Sequence, residues 1–440
     1  MQTTHLLAPA LGAALALSAL TWAPAHAVSS CDGRVATIEV QATSNGSAPV
    51  VGTPGDDVIV GTPYGDNIDG AGGHDVICGL DGPDRIVGGS GDDRIFAGLD
   101  GDYSIDDGYT SDLVTPGPGN DHVDLGADSQ ALHIHQVDFG YTDRVVYTDA
   151  AGPVTVDLTA GTASGEGTDT FVVEGPAGVV GSAFNDVITG SPYDDLIQAG
   201  TGDDTVDARE GNDHLFVDGG VDDTFTFAPL EGGNDVAAGG PGKDTLVSGG
   251  GTDRLSGDGG KDYLSTTTST LGSLQGGPGK DRLYARGQVD VSAGAGKDKI
   301  GYELQPGFRA EIDGDGGRDT LELTLSRAFT KGERVHVNRP RQRITFTGST
   351  TRLAYFEVEQ LIAIGGHPHW TFVGTGDDDR FSVLGGRSLR AFGRGGNDIF
   401  GGTGGRDFID GGPGRDVARS STGRDICVHV ERANGCEVRR

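Results

Sequence analysis

The chain has 440 residues, of which 78 are glycine, only 6% are aromatic and one is methionine. Its 65 acidic and 33 basic residues give a formal net charge of −32. This charge argues against a nucleic-acid-binding protein, because such proteins present a basic surface. The composition does not support a thick globular core and favours a solenoid with a thin aliphatic core. We expect its acidic loops to need bound cations, since so small a core does not overcome the chain entropy alone.

Residues 1–27 are predicted to be a cleavable signal peptide. They are small and apolar from Leu6 to Ala23 and end in Ala25-His26-Ala27, which has the A-x-A form of a cleavage site. A membrane anchor is the alternative, but the apolar run is short and interrupted. No later segment approaches about 18 consecutive apolar residues. We therefore expect secretion, cleavage after Ala27 and no membrane span after cleavage.

Residues 28–51 are predicted to be an N-terminal cap. They are rich in Ser, Thr and Val and include a strand-like run from Val35 to Val40. A solenoid needs such a strand over its first coil, because an open sheet edge invites aggregation.

From Gly52 to Asp102 the sequence is an uninterrupted series of nonapeptides, which opens a first repeat run at 52–124. They read GTPGDDVIV, GTPYGDNID, GAGGHDVIC, GLDGPDRIV, GGSGDDRIF and then AGLDGD. The sixth position is always aspartate, at Asp57, Asp66, Asp75, Asp84, Asp93 and Asp102. The eighth is isoleucine, at Ile59, Ile68, Ile77, Ile86 and Ile95. Glycines allow a six-residue loop to turn sharply, and the three residues that follow form a short strand with one buried side chain.

These nonapeptides match the pattern G-G-x-G-x-D-x-U-x. The sequence resembles the hemolysin-type calcium-binding (RTX) repeat family. The resemblance implies an all-β fold, a right-handed parallel β-roll or β-solenoid in which two nonapeptides form one coil. It also implies several Ca²⁺ ions between loops on the same edge, so that Asp57 pairs with Asp75 and Asp66 with Asp84. Carboxylate and carbonyl oxygens are the ligands that calcium prefers.

The pattern lapses after Asp102, although Gly117–Asp121 resembles one more loop. Residues 125–180 contain alternating strand-like runs and resemble the calcium-free spacers found between RTX runs. His133 and His135 share one face of such a run. A zinc or copper site would need a third ligand that the sequence does not mark, so a solvated strand face is preferred.

A second repeat run is predicted at 181–265. Its sixth-position aspartates are Asp186, Asp195, Asp204, Asp213, Asp222, Asp235, Asp244, Asp253 and Asp262. Residues 266–319 are degenerate repeats, in which Asp281, Asp298 and Asp319 occur at irregular spacing and are doubtful ligands.

Residues 320–372 are predicted to be a basic β spacer without repeat loops. Their strand-like runs are Leu321–Leu325, Arg334–Val337, Arg343–Phe346 and Phe356–Ile362. The segment also gathers seven cationic side chains, at Arg327, Lys331, Arg334, Arg339, Arg341, Arg343 and Arg352. A patch for an anionic cell-surface or matrix glycan is one interpretation. A strand face that balances the acidic remainder is the preferred one.

A C-terminal repeat run is predicted at 373–426, with Asp398, Asp407, Asp416 and Asp425 spaced by nine and Asp379 ahead of them. Pairing aspartates on the same edge within unbroken runs predicts about eleven calcium ions. Their charge would offset about 22 of the 32 net negative charges.

Four cysteines in an apparently exported chain suggest two disulfides. Three pairings are possible. The local one joins Cys427 to Cys436 in a tail hairpin within a disulfide tail at 427–440, and it leaves Cys31 to pair with Cys78. Free thiols or a metal pair are the alternatives.

The sequence favours a secreted calcium-ion-binding protein, structural or adhesive at the cell surface or in a matrix, that folds on binding calcium. It contains neither H-E-x-x-H nor G-x-S-x-G, and we predict that it is not an enzyme. The alternative is an extracellular polysaccharide lyase or hydrolase on a calcium-stabilised solenoid. Asp143, Asp149 and Asp157 are its candidate carboxylates, by elimination.

Overall fold

The structure is a computed structural model of the whole chain. It describes residues 29–41, 48–99, 111–126, 142–218, 232–267, 271–326, 329, 334–347, 349–365, 368–420, 422–436 and 438–439. The predicted signal peptide at 1–27 and six residues singled out above, Asp102, Asp222, His133, His135, Arg327 and Lys331, lie outside the described residues.

Short β-strands account for nearly all the regular structure of the described residues. The N-terminal strands are β1 (Ser30–Cys31), β2 (Arg34–Val35), β3 (Ile38–Glu39), β4 (Val50–Val51), β5 (Val58–Val60), β6 (Asn67–Asp69), β7 (Val76–Asp81), β8 (Arg85–Val87), β9 (Arg94–Leu99), β10 (Leu113–Thr115) and β11 (His122–Asp124). The next are β12 (Arg144–Val146), β13 (Thr155–Asp157), β14 (Thr162–Ser164), β15 (Thr168–Val172), β16 (Gly178–Val180), β17 (Val187–Thr189), β18 (Leu196–Gln198), β19 (Thr205–Asp207) and β20 (His214–Phe216).

The second half of the chain continues in the same way. Its strands up to residue 325 are β21 (Val236–Ala238), β22 (Pro241–Gly242), β23 (Thr245–Ser248), β24 (Thr252–Ser256), β25 (Gly259–Gly260), β26 (Tyr263–Thr266), β27 (Leu271–Gln275), β28 (Pro278–Gly279), β29 (Arg282–Arg286), β30 (Gln288–Ser292), β31 (Ala295–Gly296), β32 (Lys299–Leu304), β33 (Arg309–Asp313), β34 (Gly316–Gly317) and β35 (Thr320–Leu325). The last are β36 (Arg334–Asn338), β37 (Arg343–Phe346), β38 (Arg352–Phe356), β39 (Gln360–Ile364), β40 (His369–Val373), β41 (Arg380–Leu384), β42 (Ser388–Phe392), β43 (Ile399–Gly401), β44 (Phe408–Asp410), β45 (Val417–Arg419), β46 (Ile426–Val428), β47 (Arg432–Asn434) and β48 (Val438–Arg439), with one turn of 3₁₀ helix at Arg339–Arg341.

Two long sheets face each other, and the chain passes from one to the other in every coil. Sheet I runs from β3 through β5, β7 and β9 to β48. Sheet II runs from β4 through β6, β8 and β10 to β47, and its eighteen strands are all parallel. This arrangement confirms the predicted parallel β-solenoid. A third strip of five two-residue strands (β22, β25, β28, β31 and β34) lines the loops of the middle coils.

The two predicted spacers do not interrupt the solenoid. In each, sheet I gains an antiparallel three-stranded insertion, β13–β14–β15 in the first and β36–β37–β38 in the second. Parallel pairing resumes on both sides of each insertion. The single strand predicted at Phe356–Ile362 is wrong: β38 ends at Phe356 and β39 begins at Gln360, because Glu357 takes a left-handed backbone conformation between them.

The eighth position of the nonapeptide supplies the core. Ile59, Ile68, Ile77, Ile86 and Ile95 are all fully buried, and one continuous apolar column extends from Val40 to Cys427. Each coil thus contributes two central side chains, which is the thin core that the composition predicts.

Both predicted disulfides are formed. Cys31–Cys78 has a Cα–Cα distance of 5.8 Å and fixes the N-terminal segment against the outer face of sheet I, where Val58, Val60 and Val76 form a small second cluster. The strand predicted at Val35–Val40 is divided into β2 and β3, and β3 forms the first strand of sheet I.

Cys427–Cys436 closes the other end of the core. The tail hairpin predicted around it is wrong. β47 pairs in parallel with β45, and β48 pairs in parallel with β46, so the tail forms a further coil. Within the described residues no helix is long and apolar enough to cross a membrane.

Candidate metal centres

Each sixth-position aspartate that the structure describes is buried at a coil edge, and all but Asp253, which lies within β24, come immediately before a strand. One carboxylate oxygen accepts a hydrogen bond from the backbone N–H of the aspartate one coil earlier. Asp57 N donates to Asp75 Oδ1 at 2.8 Å, and Asp66 N donates to Asp84 Oδ1 at 2.7 Å. Repetition of this bond builds columns of stacked carboxylates along both edges of the solenoid.

All described residues predicted as ligands occupy such columns, and none is more than 6% exposed. The predicted spacing of eighteen residues holds for Asp57–Asp75, Asp66–Asp84, Asp75–Asp93, Asp186–Asp204, Asp195–Asp213, Asp235–Asp253, Asp244–Asp262, Asp398–Asp416 and Asp407–Asp425.

The columns also contain aspartates that spacing alone does not identify. Asp112, Asp121, Asp143, Asp169, Asp281, Asp298, Asp319 and Asp379 make or accept the same bond. Their partners are 17 to 48 residues away, because the coils that contain them are shorter or longer than two nonapeptides. The signal that finds them is an aspartate directly before a short apolar strand, as in Asp143-Arg144-Val145-Val146.

Asp143 therefore belongs to a column and not to a catalytic pair. It is 3% exposed and accepts the backbone N–H of Asp112 at 2.7 Å. Of the other carboxylates considered for catalysis, Asp149 is exposed, and Asp157 accepts the N–H of Ala160 in a surface turn.

The second carboxylate oxygen divides the repeats into two classes. In the first class it is buried and has no hydrogen-bond partner among the described residues. Members of this class are Asp75, Asp93, Asp121, Asp204, Asp213, Asp235, Asp244, Asp253, Asp262, Asp281, Asp298, Asp319, Asp398 and Asp416. Buried carboxylate oxygens without partners are costly, so each of them requires a proton or a cation.

In the second class a Ser or Thr four residues earlier satisfies the carboxylate. Ser191 donates from both N and Oγ to Asp195, and the Oγ–Oδ1 distance is 2.8 Å. The same hydroxyl-and-amide cap holds Asp57 with Thr53, Asp66 with Thr62, Asp186 with Ser182, Asp379 with Thr375 and Asp407 with Thr403. These six are the first aspartates of the six columns.

The second residue of the nonapeptide decides the class. In capped repeats it is Ser or Thr. In most of the others it is in the left-handed region, as in Gly89, Gly200 and Gly240, where glycine is favoured. This conformation removes the amide and hydroxyl cap from the carboxylate.

Glycine at the first position of the repeat keeps the loops close together. A Cβ on Gly70 would lie 2.3 Å from the carbonyl oxygen of Gly88 and 2.6 Å from Asp75 Oδ2. Carbonyl and carboxylate oxygens thus converge where no side chain fits. Such a set of oxygens suits a hard cation.

Three of the six columns end at a group other than aspartate. Asp319 N and Asp416 N donate to Glu359 and Glu431 in place of a further aspartate. Asp169 Oδ2 instead accepts the buried hydroxyl of Tyr147 at 2.9 Å.

Burial and neighbouring carboxylates raise the pKa of the uncapped aspartates. Burial is the largest cause and raises the pKa of Asp213 and Asp235 to about 8 and that of Asp262 and Asp398 to about 7. The negative charge of the next aspartate in the column adds to the effect. The capped Asp57 differs, because the hydrogen bonds from Thr53 and Thr37 outweigh its burial and lower its pKa.

Comparison with known families agrees with this geometry. Residues 51–84, 79–103, 180–215, 231–264 and 392–427 match the RTX calcium-binding nonapeptide repeat. These parts of the chain are RTX calcium-binding nonapeptide repeats. No curated protein shows significant similarity to it. The RTX matches leave out the coils at 281–319, although the carboxylate column is continuous there.

Proposed function

We propose that this protein is a secreted calcium-binding protein that folds on binding calcium and has a structural or adhesive role at the cell surface or in a matrix. The observation that carries the proposal is the repeated buried carboxylate oxygen without a partner. Because carboxylates stacked along an edge repel one another, a cation between successive loops would stabilise the folded coil far more than the unfolded chain.

The ligands are assigned from the two classes of repeat. Of the aspartates predicted from the sequence, the uncapped ones are proposed as the principal calcium ligands: Asp75, Asp93, Asp204, Asp213, Asp235, Asp244, Asp253, Asp262, Asp398 and Asp416. The capped Asp57, Asp66, Asp186, Asp195 and Asp407 already accept hydrogen bonds on their carboxylates, so the calcium sites are proposed to begin after them.

Secretion is supported by two further features. The N-terminal 27 residues have the composition of a signal peptide. Both cysteine pairs are disulfide-bonded, and disulfides persist in oxidising compartments. Calcium outside cells is millimolar, which would saturate sites with dissociation constants of about 10⁻⁴–10⁻³ M.

Calorimetric titration of the protein with Ca²⁺ and, separately, Mg²⁺ tests the calcium assignment. We expect saturable binding of several Ca²⁺ ions and little binding of Mg²⁺, which demands a tighter octahedral geometry. Binding of Mg²⁺ with equal affinity, or no binding of either, would contradict the assignment.

The adhesive role needs a separate experiment. Extracellular polysaccharides are applied as an array and probed with the protein in calcium and in chelator. Calcium-dependent retention on an anionic glycan would support adhesion through the exposed Arg334, Arg343 and Arg352 on the second insertion of sheet I. If the protein binds calcium but is not retained on any polysaccharide, the adhesive role is contradicted and only the structural role remains.

A further inference from the structure

Asp218 is a buried carboxylate that the nonapeptide pattern does not explain. It follows β20 and occupies the second position of a loop, whereas the repeat aspartates occupy the sixth. It is nevertheless only 3% exposed. Residues 219–231, which separate Asp218 from Gly232 in the sequence, lie outside the described part of the chain.

The side chain of Asp218 joins two repeat aspartates at one coil edge. Carboxylate oxygens of Asp218, Asp235 and Asp253 lie within 4.8 Å of one another, and all three residues are buried. Among the described residues this is the one group of three acidic, His or Cys side chains with metal-binding spacing. The repeat pattern by itself brings together only Asp235 and Asp253, through the bond from Asp235 N to Asp253 Oδ1 at 3.2 Å.

Each of the three carboxylates presents an unsatisfied oxygen. Asp218 Oδ2 accepts the N–H of Gly249 in the next coil, but Asp218 Oδ1 has no hydrogen-bond partner in the described structure. The Oδ2 atoms of Asp235 and Asp253 are also buried and have no hydrogen-bond partner among the described residues. The backbone of the next coil thus orients Asp218 and leaves one of its oxygens for another ligand.

Ser248 is a second, independent indication of a ligand. It stands at the first position of the following loop, where the first repeat run has glycine in most nonapeptides. Its side chain is fully buried, and its hydroxyl makes no hydrogen bond among the described residues. At the equivalent first position of the neighbouring repeats, a Cβ on Gly239 would lie 2.6 Å from Asp244 Oδ2 and a Cβ on Gly257 2.7 Å from Asp262 Oδ2. The side chain of Ser248 therefore occupies the place beside the carboxylate of its own repeat, Asp253.

We propose that Asp218 and the Ser248 hydroxyl join the repeat ligands Asp235 and Asp253 in one hard-cation site that takes calcium. The proposal rests on the proposed function and deepens it, since it adds to one repeat pair a third carboxylate from outside the nonapeptide pattern. Three formal negative charges on one ion give stronger attraction than the two of a repeat pair, and calcium affinity rises with ligand charge. We therefore expect it to bind calcium more tightly than the two-carboxylate repeat sites of the described residues do.

The position of the site gives it a structural role. Asp218 and Asp235 flank residues 219–231, and Asp253 belongs to the next coil, so a single ion joins three points of the chain. The residue in register with Asp253 on the following strand is Gly272, where this carboxylate column stops. A calcium ion bound at this site would stabilise the last coil of the column.

The test compares Asp218→Asn with Asp149→Asn, which removes the same charge from an exposed side chain, and with Asp244→Asn, which removes an ordinary repeat ligand. Full-length protein is titrated with Ca²⁺ by calorimetry, and its urea midpoint is measured in calcium and in metal-stripped buffer. We expect D218N to weaken the tightest calcium step at least tenfold, D244N to affect only the weaker steps, and D149N to change neither.

The unfolding data separate a metal ligand from a residue that only supports the loop. D218N is expected to lower the urea midpoint in calcium and to raise it in metal-stripped buffer, because one of three repelling carboxylates is gone. Ser248→Ala keeps the charge and is expected to weaken the same calcium step severalfold. A loss of stability that is equal in both buffers, or an unchanged tightest step, would overturn the three-carboxylate site. If the wild-type protein binds no calcium at all, the proposed function fails as well.

Discussion

The sixth-position aspartate performs two tasks with its two oxygens. One accepts the backbone N–H of the preceding coil, at 2.8 Å in Asp195–Asp213, and so fixes the stacking of the loops. The other is either capped by a Ser or Thr or is left for a cation. Leaving a buried polar group unsatisfied costs about 1–3 kcal/mol, and more for a charged group. Since the uncapped class has many members, the metal-free fold carries a large penalty.

Substituting a capping residue and, separately, an uncapped aspartate distinguishes the capped and uncapped repeats experimentally. Ser191→Ala removes a hydroxyl from Asp195, and we expect it to destabilise the coil by about 1–3 kcal/mol with or without calcium. Asp213→Asn removes a buried carboxylate that is proposed to bind a cation and that repels its neighbours in the column when no cation is bound. It is expected to destabilise the protein in calcium and to stabilise it in metal-stripped buffer.

Urea unfolding of both variants in the two buffers measures these effects, with Thr201→Ala as an exposed hydroxyl control. If S191A depended on calcium as strongly as D213N, the distinction between capped and uncapped repeats would be wrong.

The sequence predicts the repeat and its ligand type well, because a coil of two nonapeptides leaves a fixed period. It does not predict the full columns. Asp143 and Asp319 lie in coils of altered length, so their partners in the stack are not eighteen residues away. The sequence does not predict the caps either, since Thr62 and Gly89 occupy the same position in the repeat and differ only in the hydrogen bonds that their backbone and side chain offer to the aspartate.

The coil is the repeating element of the fold. The first and last coils each lack a neighbour on one side, and a disulfide stabilises each end. At the N-terminal end, Cys31–Cys78 holds the segment containing β1 to β3 on sheet I. Because each coil contacts only its neighbours, the stability of a solenoid is approximately a sum of local terms. A defect at the end is therefore expected to act locally.

Replacing both Cys31 and Cys78 by Ser tests this locality. The bond spans 47 residues, for which the chain-entropy estimate is about 4 kcal/mol. We expect faster backbone hydrogen exchange in β3 to β7 and unchanged exchange from β17 onward. The Cys427→Ser/Cys436→Ser variant is the matched control at the other end. Uniformly faster exchange along the whole chain would contradict local stabilisation.

At the scale of the whole molecule, the balance between the apolar core and the net negative charge determines the conditions under which the protein folds. One apolar column joins Val40 to Cys427, but it contributes only two central side chains per coil. The net charge of −32 opposes folding, because many of the negative charges belong to buried carboxylates that repel one another. The antiparallel insertions keep sheet I continuous through both spacers, so the stack is one unit from end to end.

The raised pKa values predict the effect of pH on the metal-free protein. Asp121, Asp213 and Asp235 have pKa values of about 8, compared with 3.8 for an unperturbed aspartate. The folded chain therefore binds more protons than the unfolded chain between about pH 4 and pH 8. Stability is full below pH 4 and is lost as the pH rises through the folded pKa values.

We expect a higher urea midpoint at pH 5 than at pH 8 in metal-stripped buffer. Calcium should reverse this order, since protons compete with the ion for the same oxygens. A metal-free protein that is more stable at pH 8 than at pH 5 would show that the buried carboxylates are not the dominant titrating groups.

The central claim is that calcium, rather than the apolar column, determines whether the solenoid folds. The most direct measurement is a calcium titration followed by far-ultraviolet circular dichroism at neutral pH, with magnesium as the control. The account predicts a partial β signal with a low urea midpoint in chelator, a cooperative gain with calcium and no gain with magnesium. A β signal that is complete in chelator, with an unfolding midpoint that calcium does not change, would contradict it.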